Sequence, residues 1–150
     1  MKKLFLISMI FMSGLFCSAQ SYVSTSLSYY NGSGTFCQQA IPTVEVGVTF
    51  SKVSVGIANG FTSFNDGSFY SELRVSPTLW EKGRWSVSGS LGAGYVFNKA
   101  NQLLTEYGGG IGYSLSKAVS VGLFAGKYNF SGKTVSSSAT FTGAAVTFSF

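Results

Sequence analysis

The charge in this 150-residue chain is sparse: ten Lys and Arg, five Asp and Glu, and no His. The acids are Glu45, Asp66, Glu72, Glu81 and Glu106. Glu72 and Arg74 stand two residues apart, the spacing that puts side chains on one face of an extended strand. Glu45 and Glu106 share that face by strand parity and are expected two strands away from Arg74, one on each side; Arg84 shares it too, but close to a turn. A long Arg side chain can bridge such distances across a narrow interior. The expected result is a buried ion-pair network. The alternative is a path for protons or cations, since carboxylates outnumber the nearby cation.

Catalysis is poorly provided for. Without His the chain lacks the commonest general base, the usual Ser-His and Cys-His pairs and most zinc sites. The inward serines have no matching base, and Cys37 stands alone on a loop. Gly108-Gly109-Gly110-Ile111-Gly112 superficially resembles a phosphate loop, but it sits inside a strand pattern with no helix after it, so it reads as strand glycine. The chain is expected to be no enzyme, with no metal and no cofactor.

The elements that must position these residues come from one period. Val44, Val46, Val48 and Phe50 alternate with Thr43, Glu45, Gly47 and Thr49, and the same alternation recurs along the chain. It predicts eight β-strands, near 21–30, 43–50, 53–61, 69–80, 84–97, 103–115, 118–130 and 134–150. Ser51-Lys52, Glu81-Lys82-Gly83 and Ser116-Lys117 are short connections. Asn31 to Pro42, Thr62 to Ser68, Asn98 to Gln102 and Ser131 to Lys133 are mostly longer ones. Short and long connections alternate in order, as an up-and-down meander requires. Ahead of the strands, Met1-Lys2-Lys3, the apolar run Leu4–Phe16 and the small residues Cys17-Ser18-Ala19 have the layout of a signal peptide cut before Gln20. The expected organisation is a leader over 1–19 and a barrel domain over 20–150. Losing Lys2 and Lys3 lowers the net charge from +5, too weak a surplus to imply nucleic acid.

Charged residues make up 10% of the chain, against about 25% in ordinary soluble domains. The face opposite the bulky residues is mainly Ser, Thr and Gly, which suits a narrow closed interior. The Val, Leu, Ile and Phe face suits hydrocarbon, where backbone polar groups must be paired by closing the sheet. A secreted soluble ligand-binding barrel is the weaker alternative. Aromatics support the membrane reading. Phe50, Trp80, Trp85, Tyr113, Phe148 and Phe150 gather near the short-turn end; Tyr29, Tyr30, Phe61, Phe69, Tyr95, Phe97, Tyr107, Tyr128 and Phe130 gather near the long-loop end. Two girdles at the water interfaces are expected of such barrels.

On these features the chain resembles the small eight-stranded bacterial outer-membrane barrels of the OmpA and OmpX type. The final Val146-Thr147-Phe148-Ser149-Phe150 looks like the terminal signal of that family, with Phe148 and Phe150 as its aromatics. It departs from the pattern in having Ala145 where the family has Gly. The resemblance implies an all-β, eight-stranded antiparallel up-and-down transmembrane β-barrel in the outer membrane, inserted by the barrel-assembly machinery and surrounded by lipids including lipopolysaccharide. It implies no single task. The lipid-modifying members use His, so their chemistry does not carry over. A structural or surface-binding role with a side-chain-filled lumen is expected, and a narrow gated channel is the alternative. The interior is expected to hold Tyr70, Phe124, Phe141 and the Glu45, Glu72, Arg74, Glu106 cluster. The molecule is expected as a monomer. A loop of Gly32, Gly34, Phe36, Cys37, Gln38 and Gln39, with Phe64 and Asp66, is the candidate surface for an extracellular ligand, and Lys99, Lys127 and Lys133 are candidates for lipid phosphate.

Overall fold

The computed structural model describes residues 19–32, 38–63, 68–97, 102–132 and 136–150. Within them the period-two pattern becomes eight strands: β1 Ala19–Gly32, β2 Gln39–Phe50, β3 Val53–Ser63, β4 Ser68–Lys82, β5 Trp85–Phe97, β6 Gln102–Ser114, β7 Val119–Ser131 and β8 Ser136–Ser149. Each pairs antiparallel with its neighbour, and β1 pairs with β8 to close the barrel. The shortest strand has 11 residues and the longest 15, at or beyond the 9–11 residues that cross a bilayer at a tilt.

The strands run further than the turn signals suggested. Asn31 and Gly32 belong to β1 and Gln39 to Pro42 belong to β2, so the connection expected over Asn31 to Pro42 shrinks to 33–38. Pro42 is tolerated because the β2–β3 ladder begins only at Thr43 opposite Gly60, where the missing N–H is not needed. Ile41 continues the inward alternation of Thr43 and Glu45, and it is fully buried. β4 likewise runs on to Lys82, leaving Gly83 and Arg84 as the turn. Gly83 has φ +64°, as a two-residue hairpin with Gly in first place requires.

The outer wall is apolar. Leu27, Val46, Ile57, Leu73, Leu91 and Leu123 are each more than half exposed. Among the described residues, the charged side chains that face outward are Lys127 on β7 and those at or beside the short turns. Trp80 would point inward if alternation ran unbroken from Arg74. An irregularity between Thr78 and Trp80 shifts the register with β5, and Leu79 and Trp80 are both exposed. The bulge re-aims the indole toward the short-turn rim.

The core lies inside the barrel, in its long-loop half. Tyr30, Ile41, Tyr70, Val96, Leu104, Tyr128, Phe130, Ala139 and Phe141 form one buried cluster, with Phe124 packed against it. This corrects the girdle reading for three aromatics. Tyr30, Tyr128 and Phe130 are 1% exposed and face the lumen. They share parity with Tyr22 on β1 and Phe124 on β7, and parity decides the face before height decides the layer. Space for the rings comes from opposing glycines. Gly60 pairs with Tyr70 and Gly126 with Phe141, and a side chain at Gly60 would collide with the Tyr70 ring.

Candidate functional site

The lumenal charges sit on alternate strands, with small residues between them. Arg74 on β4 is flanked in register by Gly56 on β3 and Gly92 on β5. Beyond Gly92 lies Glu106 on β6. Glu45 on β2 is opposite Ala58, and Ala58 is opposite Glu72. With so little side chain at Gly56, Ala58 and Gly92, the guanidinium can reach across. Its Nη1 donates to Glu45 Oε2 at 2.6 Å. Nε and Nη2 donate to Glu106 Oε2 at 3.0 and 2.7 Å, and Nη2 also donates to Glu72 Oε1. The structure thus brings Glu45, Glu72, Arg74 and Glu106 into one cluster. Their side chains are 12%, 0%, 15% and 2% exposed respectively.

Three further residues complete it, and the sequence reading had missed their part. The Tyr128 hydroxyl lies 2.9 Å from both Glu72 Oε1 and Glu106 Oε2 and accepts from Arg74 Nη2 at 3.2 Å. Tyr22 donates to Glu45 Oε1 at 2.5 Å, and Ser90 donates to Glu106 Oε1 at 2.9 Å. Inward parity is the signal that could have found all three. Formally the cluster carries three negative charges against one positive. Glu72 Oε2 is buried without a hydrogen-bond partner and faces the lumen over Gly92, where an added Cβ would stand 2.9 Å from it.

The lumen differs above and below the cluster. Toward the long loops it is closed by aromatic packing: the Tyr128 ring lies 4.9 Å from that of Phe141 and 5.6 Å from that of Tyr30. Tyr70, beside them, is held by Thr43 Oγ1 at 2.8 Å. Toward the short turns the walls are mostly Ser, Thr and Gly, and they enclose a cavity of about 320 Å³. The expectation of a side-chain-filled interior therefore describes only the long-loop half. Short hydroxyl side chains, beside glycines that have none, cannot span the remainder.

The interface aromatics lie as follows. Trp80, Trp85, Tyr95, Phe97 and Phe148 are exposed on the outer wall, and Phe50 is half-buried. Phe69 stacks on Phe97 at 4.7 Å, and Trp85 meets Tyr113 edge-on at 4.9 Å. Phe150 is exposed, and its amide donates to the Ser21 carbonyl at 2.9 Å. Lys127 is paired in register with Tyr107. Gly34, Phe36, Cys37, Phe64, Asp66, Lys99 and Lys133 lie outside the described residues, as do residues 1–18 of the expected leader. Ala19 is the first residue of β1, opposite Phe50. Among the described residues no group of three or more His, Cys, Asp or Glu side chains is placed to hold a metal ion.

Solved structures share this architecture. The N-terminal β-barrel domain of Pseudomonas aeruginosa OprF superposes with a TM-score of 0.63 at 11% identity, over 86% of this chain and 97% of that one. A de novo designed transmembrane β-barrel gives 0.58 at 9% identity, over 87% and 95%. Neisserial surface protein A gives 0.50 at 11% identity, over 88% and 96%. No protein-family model and no curated protein matches the sequence. At these identities the likeness is one of fold, that of the small eight-stranded outer-membrane barrels. The designed barrel makes this plain, because its form follows from strand physics and not from descent.

Proposed function

We propose that this chain is a small integral barrel of the bacterial outer membrane, exported by its N-terminal leader, with a structural or surface-binding role. It is not an enzyme in this reading, and its lumen is closed to ions by its own side chains. The observation that carries the reading is the stack in the long-loop half. The Arg74 cluster, tied to β2, β4, β6 and β7, lies directly beneath a buried aromatic layer. Eight strands leave a lumen that side chains can fill. The apolar outer wall and its exposed rim aromatics fit hydrocarbon with an interface at each end. The short-turn end then faces the periplasm, and Lys127, level with Tyr107, stands where lipid phosphates, including those of lipopolysaccharide, would meet it. The fold it shares with a Neisserial surface protein suits a role at the cell surface, through the loops. Assembly would use the terminal Phe148 and Phe150, and the working unit would be a monomer.

Planar-bilayer recording of the refolded protein tests this, with no steady conductance expected. Large sustained openings would overturn it in favour of a narrow gated channel. The hollow short-turn half is the specific observation that favours that second reading.

A further inference from the structure

The outer wall carries a groove of about 670 Å³ that reaches from β5 round to β1. Trp85, Tyr113 and Val121, paired in register, form its edge toward the short turns. Leu123, Ala144 and Leu27, also paired in register, lie one row above them. Leu123 and Leu27 are each more than half exposed, and Ala144 between them is too short to fill the gap. Trp85 opens β5 at the short-turn rim, whereas Leu27 lies well inside β1. The groove therefore climbs from the rim into the hydrocarbon layer. We propose that it holds one acyl chain of an anionic glycerophospholipid of the periplasmic leaflet, with the phosphate among Lys82, Arg84 and Lys117 at the rim. The proposal rests on the outer-membrane reading above and adds a lipid class to it.

Charge is the first argument. The short-turn end carries Lys52, Lys82, Arg84 and Lys117 against the single acid Glu81. Lys82 stands opposite Trp85 in register, and Arg84 directly precedes that tryptophan. Lys117 lies in the turn that joins β6 to β7, beyond Tyr113 and Val121, and lines one cavity with Arg84. All three cations are exposed. Among the described residues the ion pairs belong to Arg74, so none of the three is neutralised by a carboxylate. Lys and Arg in such a position attract phosphate, and Arg can bind it with two parallel hydrogen bonds. A zwitterionic headgroup brings its own ammonium into the same field and gains less.

Length is the second. From β5 to β1 there are four interstrand steps of about 4.8 Å, or roughly 19 Å in all. Half of a bilayer's hydrocarbon core is about 15 Å, so a slanted groove of this length suits one extended chain. Its walls are chiefly aliphatic and aromatic, and the edge contact of Trp85 with Tyr113 puts an interface pair at its head. Chain and charge work together here. A single acyl chain gives only marginal binding, and a basic patch supplies the second signal.

The chain has two tryptophans, Trp80 and Trp85, so a Trp80→Phe background leaves Trp85 as the reporter at the groove head. Folded protein in detergent micelles is titrated with phosphatidylglycerol brominated on one acyl chain, and separately with phosphatidylcholine brominated alike. Saturable quenching at one lipid per protein is expected, at least tenfold tighter for phosphatidylglycerol. Lys82→Ala and Lys117→Ala should each weaken that binding about fivefold. Ala144→Phe plugs the groove without touching a charge and should abolish saturation. Ile57→Phe adds the same ring to the exposed wall at β3 and should leave binding unchanged. Equal affinity for the two lipids, or saturation that survives Ala144→Phe, overturns the proposal. Displacement by glycerol phosphate alone also overturns it, by showing a site for free phosphate that needs no chain. So does a dimer that Ala144→Phe dissociates, which would assign the groove to a second copy. Heat-modifiable mobility reads barrel folding separately, so the lipid preference can fail while the membrane-barrel reading stands.

Discussion

Arg74 holds three glutamates from three strands, and its removal would leave them facing one another. Breaking a buried pair by deleting one partner costs ~3–5 kcal/mol, chiefly through the charge left behind. Arg74→Ala is therefore expected to lose about that much stability at neutral pH, read by urea unfolding in detergent. The deficit should narrow in acid, because protonated carboxyls neither repel one another nor miss the guanidinium. Lys127→Ala, on the outer wall, should change stability by at most ~1 kcal/mol; equal effects of the two would show that the cluster is not a buried network. Tyr128→Phe isolates the hydroxyl. It keeps the ring packing against Phe141 and Tyr30 but deprives Glu72 and Glu106 of a shared partner. Hydrogen bonds to charged groups contribute ~1.5–3 kcal/mol, and a loss in that range is expected in the same assay.

Between neighbouring strands, large inward rings are matched to glycine. The three atoms nearest to a Cβ at Gly60 belong to Tyr70, so Gly60→Ala should destabilise by about 1–3 kcal/mol through overpacking. The same change in a Tyr70→Leu background should cost much less, giving a strongly non-additive double-mutant cycle. Additive costs would mean that the ring does not lie over Gly60. The β4–β5 turn separates conformation from contact. Nothing lies within 4 Å of a Cβ placed on Gly83, yet its φ is +64°. Gly83→Ala should therefore lose ~1–2 kcal/mol from backbone conformation alone, again read by urea unfolding.

For the whole molecule, closure is the cooperative event. β8 pairs with β1 from Tyr22 opposite Ser149 to Gly32 opposite Ala139, and the Phe150 amide extends that seam to Ser21. Until the seam forms, two strand edges carry unpaired backbone groups that hydrocarbon cannot satisfy. Removing Phe148 to Phe150 shortens the seam at the short-turn end and is expected to reduce the folded, heat-modifiable fraction recovered in the outer membrane. Undiminished recovery would show that assembly does not depend on these residues. The same closure makes the lumen's two halves differ. Rings meeting glycines fill one end, and hydroxyls facing hydroxyls leave the other hollow.

What the sequence determined by itself is local. Period two specified the strands, their number and the two faces, because successive side chains in a strand point to opposite sides whatever surrounds them. It put Glu45, Glu72, Arg74 and Glu106 on the lumenal face, and the same parity applied to Tyr22 and Tyr128 would have placed them there too. Pro42 and the Asn31-Gly32 pair misled about strand ends, since a proline's fitness depends on whether a neighbouring ladder reaches it, which no local pattern reveals. Trp80 turns outward through a bulge that exists only relative to β5. The opposition of Gly60 to Tyr70, the convergence of three glutamates on one guanidinium and the hollow beneath them were decided by the tertiary structure. Each depends on the register between strands, and register is settled only when pairing and closure bring distant residues side by side.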